Sequence, residues 1–165
     1  MPILDDSSLE FISHSSDQTR RVGMRLGALL NTGHVLHLVG ELGAGKTTLV
    51  QGISSGWGSS DQVTSPSFVL VNIYRRADGE RLYHLDAYRL NNAREAQELD
   101  ILNFIENGPL VVEWANNIRE ALPENHLLVT FDLVANDQRD LLFTAQGEQY
   151  QELLDRFRTH VYGVA

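Results

Sequence analysis

Val35-Leu36-His37-Leu38-Val39-Gly40-Glu41-Leu42-Gly43-Ala44-Gly45-Lys46-Thr47-Thr48 is the stretch that decides how this chain is read. Its first five residues form a short apolar run that reads as a buried strand. Residues 40–47 then match the pattern G-x-x-x-x-G-K-[ST] in full. Glycines at this spacing let the backbone curl until successive N–H groups converge on phosphate oxygens. A helix expected from about Lys46, fading near Gly56 and Gly58, turns its positive N-terminal end on the same anion. In such a loop Lys46 adds a point charge at the β- and γ-phosphates, and the Thr47 hydroxyl can ligate Mg²⁺. A chance match in a chain of this length has a probability on the order of one per cent from average composition. Of the 13 basic residues, all but Lys46 are arginines, so the chain's single lysine falls inside this motif. The stretch reads as a nucleotide-phosphate site.

Upstream of this stretch, Ser15, Ser16 and Asp17 offer caps for a helix whose Val22, Leu26, Leu29 and Leu30 recur at helical spacing, with Gly33 closing it. Residues 58–67 are loop-like. Residues 68–74 and 82–86 are β-rich runs separated by Ala77, Asp78 and Gly79, which signals an antiparallel hairpin. Residues 92–106 read as helix, broken by Gly108-Pro109 before the strand Leu110-Val111-Val112. A second hairpin spans 127–134 and 141–145 around Asn136 and Asp137, and a last helix begins near Glu148. The expected architecture is a single α/β domain over residues 1–165. Its mixed sheet has a parallel core plus antiparallel hairpins, flanked by helices.

The chain has 165 residues, 42% hydrophobic and 21% charged, which suits one globular domain and excludes extended disorder. No apolar run is long enough to span a membrane, and residues 1–10 lack the pattern of a signal peptide. The absence of cysteine excludes disulfides, thiolate metal sites and cysteine nucleophiles, and fits a cytoplasmic location. A net charge of −9 argues against the chain gripping nucleic acid by itself, because that affinity comes mostly from neutralising phosphates.

Several classes that use such a loop drop out. A guanine-reading N-K-x-D segment needs a second lysine, and a helicase needs far more chain. A small-molecule kinase fits the length, but Arg119 and Arg139 are isolated and no lid-like insertion stands out. An ATPase acting as a switch or on a partner is the simplest reading, with the kinase as the alternative. Glu113, after the strand Leu110-Val111-Val112, and Asp86, ending the preceding strand, are the acids placed to manage metal and water. A carboxylate at a strand end is ordinary by itself; the phosphate loop gives these two their meaning. His84 shares a face with Asp86 by the period of two and reads as a hydrogen-bonded structural residue rather than a base. Thr64-Ser65-Pro66-Ser67 reads either as a hydroxyl-bearing loop that senses the γ-phosphate or as a turn entering a strand.

Four motifs in order, Gly40 to Thr48, Thr64-Ser65-Pro66-Ser67-Phe68, His84-Leu85-Asp86-Ala87-Tyr88-Arg89-Leu90 and Val112-Glu113-Trp114, resemble the TsaE (YjeE) family of bacterial ATPases, from about Ser15 to Arg139. The resemblance implies a part in making threonylcarbamoyladenosine next to the anticodon of tRNA. It implies binding to the TsaB–TsaD heterodimer and ATP hydrolysis that resets it, with tRNA met only through these partners. On this chain it implies that ATP meets Gly40, Glu41, Leu42, Gly43, Ala44, Gly45, Lys46, Thr47 and Thr48. Thr47 and Glu113 would ligate Mg²⁺, and Asp86 would lie in a switch needed for hydrolysis. The loop Thr64, Ser65, Pro66, Ser67 would be the other switch, with adenine contacts near Ser15 to Thr19 and from Arg139. Glu41 stands where the family usually has Asp, Ser67 replaces a Thr, and Ala115-Asn116-Asn117 replaces an acidic and a basic residue after Trp114.

Overall fold

The computed structural model describes residues 6–41, 45–64, 71–88, 90 and 99–162. Strand β1 (Ser8–Ser13) leads into helix α1 (Ser16–Gly27), followed by β2 (Val35–Val39) and α2 (Lys46–Trp57). Strands β3 (Val71–Arg75) and β4 (Arg81–Asp86), helix α3 (Ile101–Asn107) and β5 (Leu110–Glu113) come next. A 3₁₀ helix (Ala115–Ala121), β6 (His126–Leu133), β7 (Arg139–Gln146) and helix α4 (Glu148–Tyr162) complete the chain. The strands form one seven-stranded sheet in the order β1-β7-β6-β2-β5-β4-β3. Its centre is parallel, β6 and β5 both pairing with β2 and β4 pairing with β5. Both hairpins, β3–β4 and β6–β7, are antiparallel, as the turn residues imply.

Alternation along the strands gives the sheet two apolar faces. Leu36, Leu38, Val111, Leu127, Val129 and Phe143 pack with α1, α2 and α4 on one face. Val35, Tyr83, Leu85, Leu110 and Val112 pack with Ile101, Ile118 and Leu122 on the other. Burying each such side chain contributes on the order of 1.5–3 kcal/mol, so the central strands are the least able to move. That immobility matters because β2, β4 and β5 all end at the side of the sheet where the phosphate loop begins.

Helix α1 starts at Ser15, whose hydroxyl accepts from the Gln18 N–H, while the Gln18 side chain reaches back to the His14 N–H. It ends at Gly27, short of the expected Gly33; Leu29 and Leu30 are buried in a tight turn whose N–H groups bond Leu26 and Gly27. Helices α1 and α2 run side by side in the same direction at unusually close range. A Cβ on Gly52 would lie 2.1 Å from the Arg20 carbonyl oxygen, and one on Gly56 would lie 2.0 Å from that of Met24. From the α1 side, a Cβ on Gly27 would meet the Ile53 carbonyl oxygen at 2.0 Å. This backbone-to-backbone contact sets the N-terminus of α1 beside that of α2.

A further expectation needs correction, and two elements were not expected. The helix expected over 92–106 is not continuous, because Asp100 takes φ +56, a conformation outside any right-handed helix, and α3 begins only after it. Residues 92–98 of that expectation, and 68–70 of the first hairpin strand, lie outside the described residues. Strand β1 was not anticipated, since its pairing partner β7 lies at the far end of the sequence. Nor was the 3₁₀ helix, whose seven residues, ANNIREA, carry little periodicity.

On the second face His37 stacks on His126, with ring centroids 3.7 Å apart and planes 9° apart. Burial first, and then His126 and Arg119, push the His37 pKa down to about 3. The unfolded chain takes up this proton near pH 6.5 and the folded chain does not until far lower, so stability falls as pH drops through that window. His37→Leu is expected to lessen the loss of stability between about pH 6 and pH 4, by up to roughly 1 kcal/mol per pH unit; urea unfolding at several pH values measures it. Gly52→Ala is expected to destabilise by about 1–3 kcal/mol through overpacking, although alanine is the better helix former. A lower urea midpoint at unchanged slope would show it.

Candidate nucleotide site

The loop from β2 to α2 carries the first group of candidate residues. Gly40 and Glu41 follow β2 directly, while Leu42, Gly43 and Ala44 lie outside the described residues. Gly45 caps α2 at φ +100, a conformation that L side chains rarely adopt, and no side chain caps the helix there. The first-turn N–H groups thus depend on something other than a side-chain cap. Lys46, Thr47 and Thr48 form that turn. Only 5% of Lys46 is exposed, and its Nζ donates to the carbonyl oxygens of Gly40 (2.5 Å) and Glu41 (2.8 Å). The same Nζ lies 4.6 Å from the centre of the Trp114 ring.

Parallel pairing supplies the acids. Asp86 and Glu113 end neighbouring strands in direct register, and Glu113 is also in register with Leu38 of β2. Paired residues point to the same face, here the face that α2 covers. Both acids are buried, Asp86 at 6% and Glu113 at 4% exposure. Burial lowers the Lys46 pKa, while Glu113 and then Asp86 oppose that change. Burial raises the Asp86 carboxyl above the usual range, the Tyr88 N–H bond at 2.9 Å counters it, and the negative Glu113 adds to it. Two buried carboxylates share one ammonium, an excess of negative charge that a divalent cation would relieve. Among the described residues no three His, Cys, Asp or Glu side chains gather into a metal cage. The donor set therefore suits a cation such as Mg²⁺, which takes one or two carboxylates and fills its remaining positions with phosphate and water.

His84 is fully buried and bonded on both ring nitrogens: Nδ1 to the Tyr74 hydroxyl (2.8 Å) and Nε2 to Glu113 Oε2 (2.5 Å). It is a hydrogen-bonded structural residue, as the sequence suggested, but its partner is one of the two candidate acids. Trp114 takes φ +59, uncommon for a non-glycine residue, with its N–H held by the Leu38 carbonyl. Its ring contacts that of the exposed Tyr88 at 5.0 Å between centroids. Asn117, in the stretch that departs from the family pattern, donates through Nδ2 to the carbonyls of Ala87 (2.9 Å) and Tyr88 (3.4 Å). It thereby ties the segment after Asp86 to the segment after Glu113.

The remaining candidates lie at the edges. Thr64 accepts from Asn72 Nδ2 (3.0 Å) and from the Tyr74 hydroxyl (3.2 Å), whereas Ser65, Pro66, Ser67 and Arg89 lie outside the described residues. Thr19 is buried, with its hydroxyl 2.7 Å from that of Ser13. Arg139 begins β7 opposite Ser13, and a Cβ on Gly45 would lie 4.0 Å from its Cγ, so its stem passes the phosphate loop. A groove of about 430 Å³ between β1 and α1, lined by Phe11, Ile12, Gln18 and Arg21 among others, takes in Gln18 of the Ser15–Thr19 segment but neither Thr19 nor Arg139. Sequence reasoning missed Tyr74 and Asn117; the hairpin register, placing Asn72 opposite His84, was the signal for Tyr74.

A mixed sheet flanked by helices, with a phosphate-loop motif at the carboxyl end of its central strand, defines a P-loop nucleotide-hydrolase fold. The profile of the family described as threonylcarbamoyl adenosine biosynthesis protein TsaE matches residues 13–141, and the chain belongs to that family. Over 153 residues it is 35% identical to the tRNA threonylcarbamoyladenosine biosynthesis protein TsaE of Bacillus subtilis, covering 92% of this chain and 95% of that one. The protein of the same name from Streptomyces coelicolor is 39% identical over 137 residues, covering 79% and 93%. The crystal structure of Bacillus subtilis YdiB superposes with a TM-score of 0.77 at 33% identity, covering 93% of this chain and 96% of that one. That membership places the chain in tRNA threonylcarbamoyladenosine biosynthesis.

The raised Asp86 pKa gives a test of this charge cluster. A folded chain that holds the proton more tightly than the unfolded one is destabilised above the folded pKa, and the cost vanishes below the ordinary carboxylate value of 3.8. Asp86→Asn, which keeps the acceptor for the Tyr88 N–H, is expected to be more stable than the wild type at neutral pH. That advantage should fade as the pH falls to about 4. Thermal melts of both proteins across this range measure it.

Proposed function

We propose that the chain is a Mg²⁺-dependent ATPase that acts on the TsaB–TsaD heterodimer during threonylcarbamoyladenosine synthesis, with tRNA held by those partners. The observation that carries this reading is Lys46 buried at the mouth of the phosphate loop within the field of both Asp86 and Glu113. In this reading the backbone from Gly40 to Gly45 wraps the phosphates, and the N-terminal turn of α2 faces them with its uncapped N–H groups. Lys46 exchanges the carbonyls of Gly40 and Glu41 for the β- and γ-phosphate oxygens. Thr47 and Glu113 would hold Mg²⁺, which would supply neutralisation of the charge developing on the phosphates. Asp86, on the neighbouring strand, orients the attacking water or its proton, and Thr64, Ser65, Pro66 and Ser67 serve as the switch that senses the γ-phosphate. Arg139 and the start of α1 near Thr19 flank the nucleoside end. The net charge of −9 leaves tRNA recognition to the partners.

Lys46→Ala is expected to abolish ATP turnover in a folded protein. Glu113→Ala should weaken Mg²⁺-dependent nucleotide binding, whereas Asp86→Ala should leave binding largely intact and slow hydrolysis, since positioning of water matters most in the transition state. Calorimetry and phosphate release separate the two acids, and the reverse pattern would exchange their roles. Reconstitution with TsaB, TsaD, tRNA and threonylcarbamoyl-AMP should need this protein and ATP for repeated rounds of modification. A phosphorylated small molecule in place of partner-dependent turnover would instead identify a kinase.

A further inference from the structure

Tyr74 and His84 have no part in the chemistry above, yet they are among the most enclosed polar side chains of the sheet, at 2% and 0% exposure. They lie on β3 and β4 as diagonal neighbours, because the hairpin register sets Asn72 against His84 and Tyr74 against Leu82. A carboxylate only accepts hydrogen bonds, so the 2.5 Å contact requires His84 Nε2 to carry a proton and donate it to Glu113 Oε2. The other nitrogen faces the Tyr74 hydroxyl at 2.8 Å, and that hydroxyl also lies 3.2 Å from the Thr64 carbonyl oxygen. Asn72 Nδ2 holds the same carbonyl at 3.0 Å. A run of polar contacts therefore crosses three strands, from Thr64 to the acid that ends β5, the single Tyr74 hydroxyl proton serving either His84 Nδ1 or the Thr64 carbonyl at one time.

We propose that His84 is a positioning residue that fixes the Glu113 carboxylate for its cation, and that Tyr74 links this carboxylate to the backbone of Thr64. The proposal rests on the nucleotide reading above. With one oxygen engaged by His84, Glu113 is left with its other oxygen for a cation or a cation-bound water. A ring locked on both sides holds that carboxylate in one rotamer, so its ordering is completed before the cation arrives. Thr64 and Glu113 are far apart in sequence, and no backbone pairing joins them among the described residues. Side chains are what couple them, and a shift of the Thr64 carbonyl is felt at Glu113 through three polar contacts in series, Thr64–Tyr74, Tyr74–His84 and His84–Glu113.

The test compares the affinity for ADP with and without Mg²⁺, read by calorimetry and by tryptophan fluorescence, to which Trp57 and Trp114 both contribute, in the wild type and three variants. His84→Phe keeps a ring but has no donor, His84→Gln restores an N–H near the position of Nε2, and Tyr74→Phe removes only the hydroxyl. Affinity without Mg²⁺ should be unchanged in all three. The gain conferred by Mg²⁺ should fall about tenfold or more in His84→Phe, return to within about threefold of wild type in His84→Gln, and fall by an intermediate factor in Tyr74→Phe. A wild-type gain in a folded His84→Phe overturns the positioning role, as does a loss in His84→Gln equal to that in His84→Phe. A wild-type gain in Tyr74→Phe overturns the link to Thr64, and this milder variant carries the test if His84→Phe does not fold. If the wild-type protein binds no nucleotide at all, the nucleotide reading itself falls and the proposal falls with it.

Discussion

The pairing of β5 between β2 and β4 is the constraint on which the rest of the site depends. In a parallel ladder the register sets both which residues are neighbours and which face they share, and here it places Asp86 beside Glu113 and Glu113 beside Leu38. All three strands run in the same direction, so their carboxyl ends gather at one side of the sheet, where the chain leaves β2 through Gly40 into the phosphate loop. Slipping β5 by one residue would turn Glu113 to the opposite face and replace it with an apolar side chain. The apolar packing of Val111 and Val112 on opposite faces holds that register.

Such an arrangement is costly to the free chain. Two carboxylates at 6% and 4% exposure share one lysine, and burial opposes the charge on Lys46 and Asp86 alike. Interactions in a buried site of this kind are several times stronger than in water, whether favourable or not. The hydrogen bonds from His84 to Glu113, from the Tyr88 N–H to Asp86, and from Lys46 to the carbonyls of Gly40 and Glu41 reduce the cost. The cost that remains is of the sort relieved when a polyphosphate and its cation bring their own charges.

The helices position the other half of the site. Gly23 and Gly27 on α1, with Gly52 and Gly56 on α2, allow backbones to meet where any side chain would collide with a carbonyl oxygen or backbone atom. The two helices run in the same direction, so their positive ends lie side by side, with Ser15 capping one and Gly45 the other. Arg139 enters the same neighbourhood from β7, paired with Ser13 just before α1. The candidate adenine-side residues named from the resemblance and the phosphate loop are thus brought to one end of the molecule by helix packing and an edge strand together.

How much of this was legible in the chain differs element by element. The phosphate loop, both hairpins and the strand ending at Glu113 are written in local signals: glycine spacing, turn residues, and runs of buried aliphatics whose conformational preference acts over a few residues. The order of those strands in the sheet is not local. Nothing near Leu9 says that it will face Phe143 at the far end of the chain, and nothing near Asp100 says that its φ will be +56. The same holds for the contacts that give the acids their environment. His84 was recognisable as a residue sharing a face with Asp86, but its bond to Glu113 exists only once β5 has paired with β4, and the Thr64 contact only once β3 has folded back. Short-range conformational preference determined which segments became strands, helices and turns. Packing between segments distant in sequence, where apolar burial outweighs every local preference, decided which of their polar groups would meet.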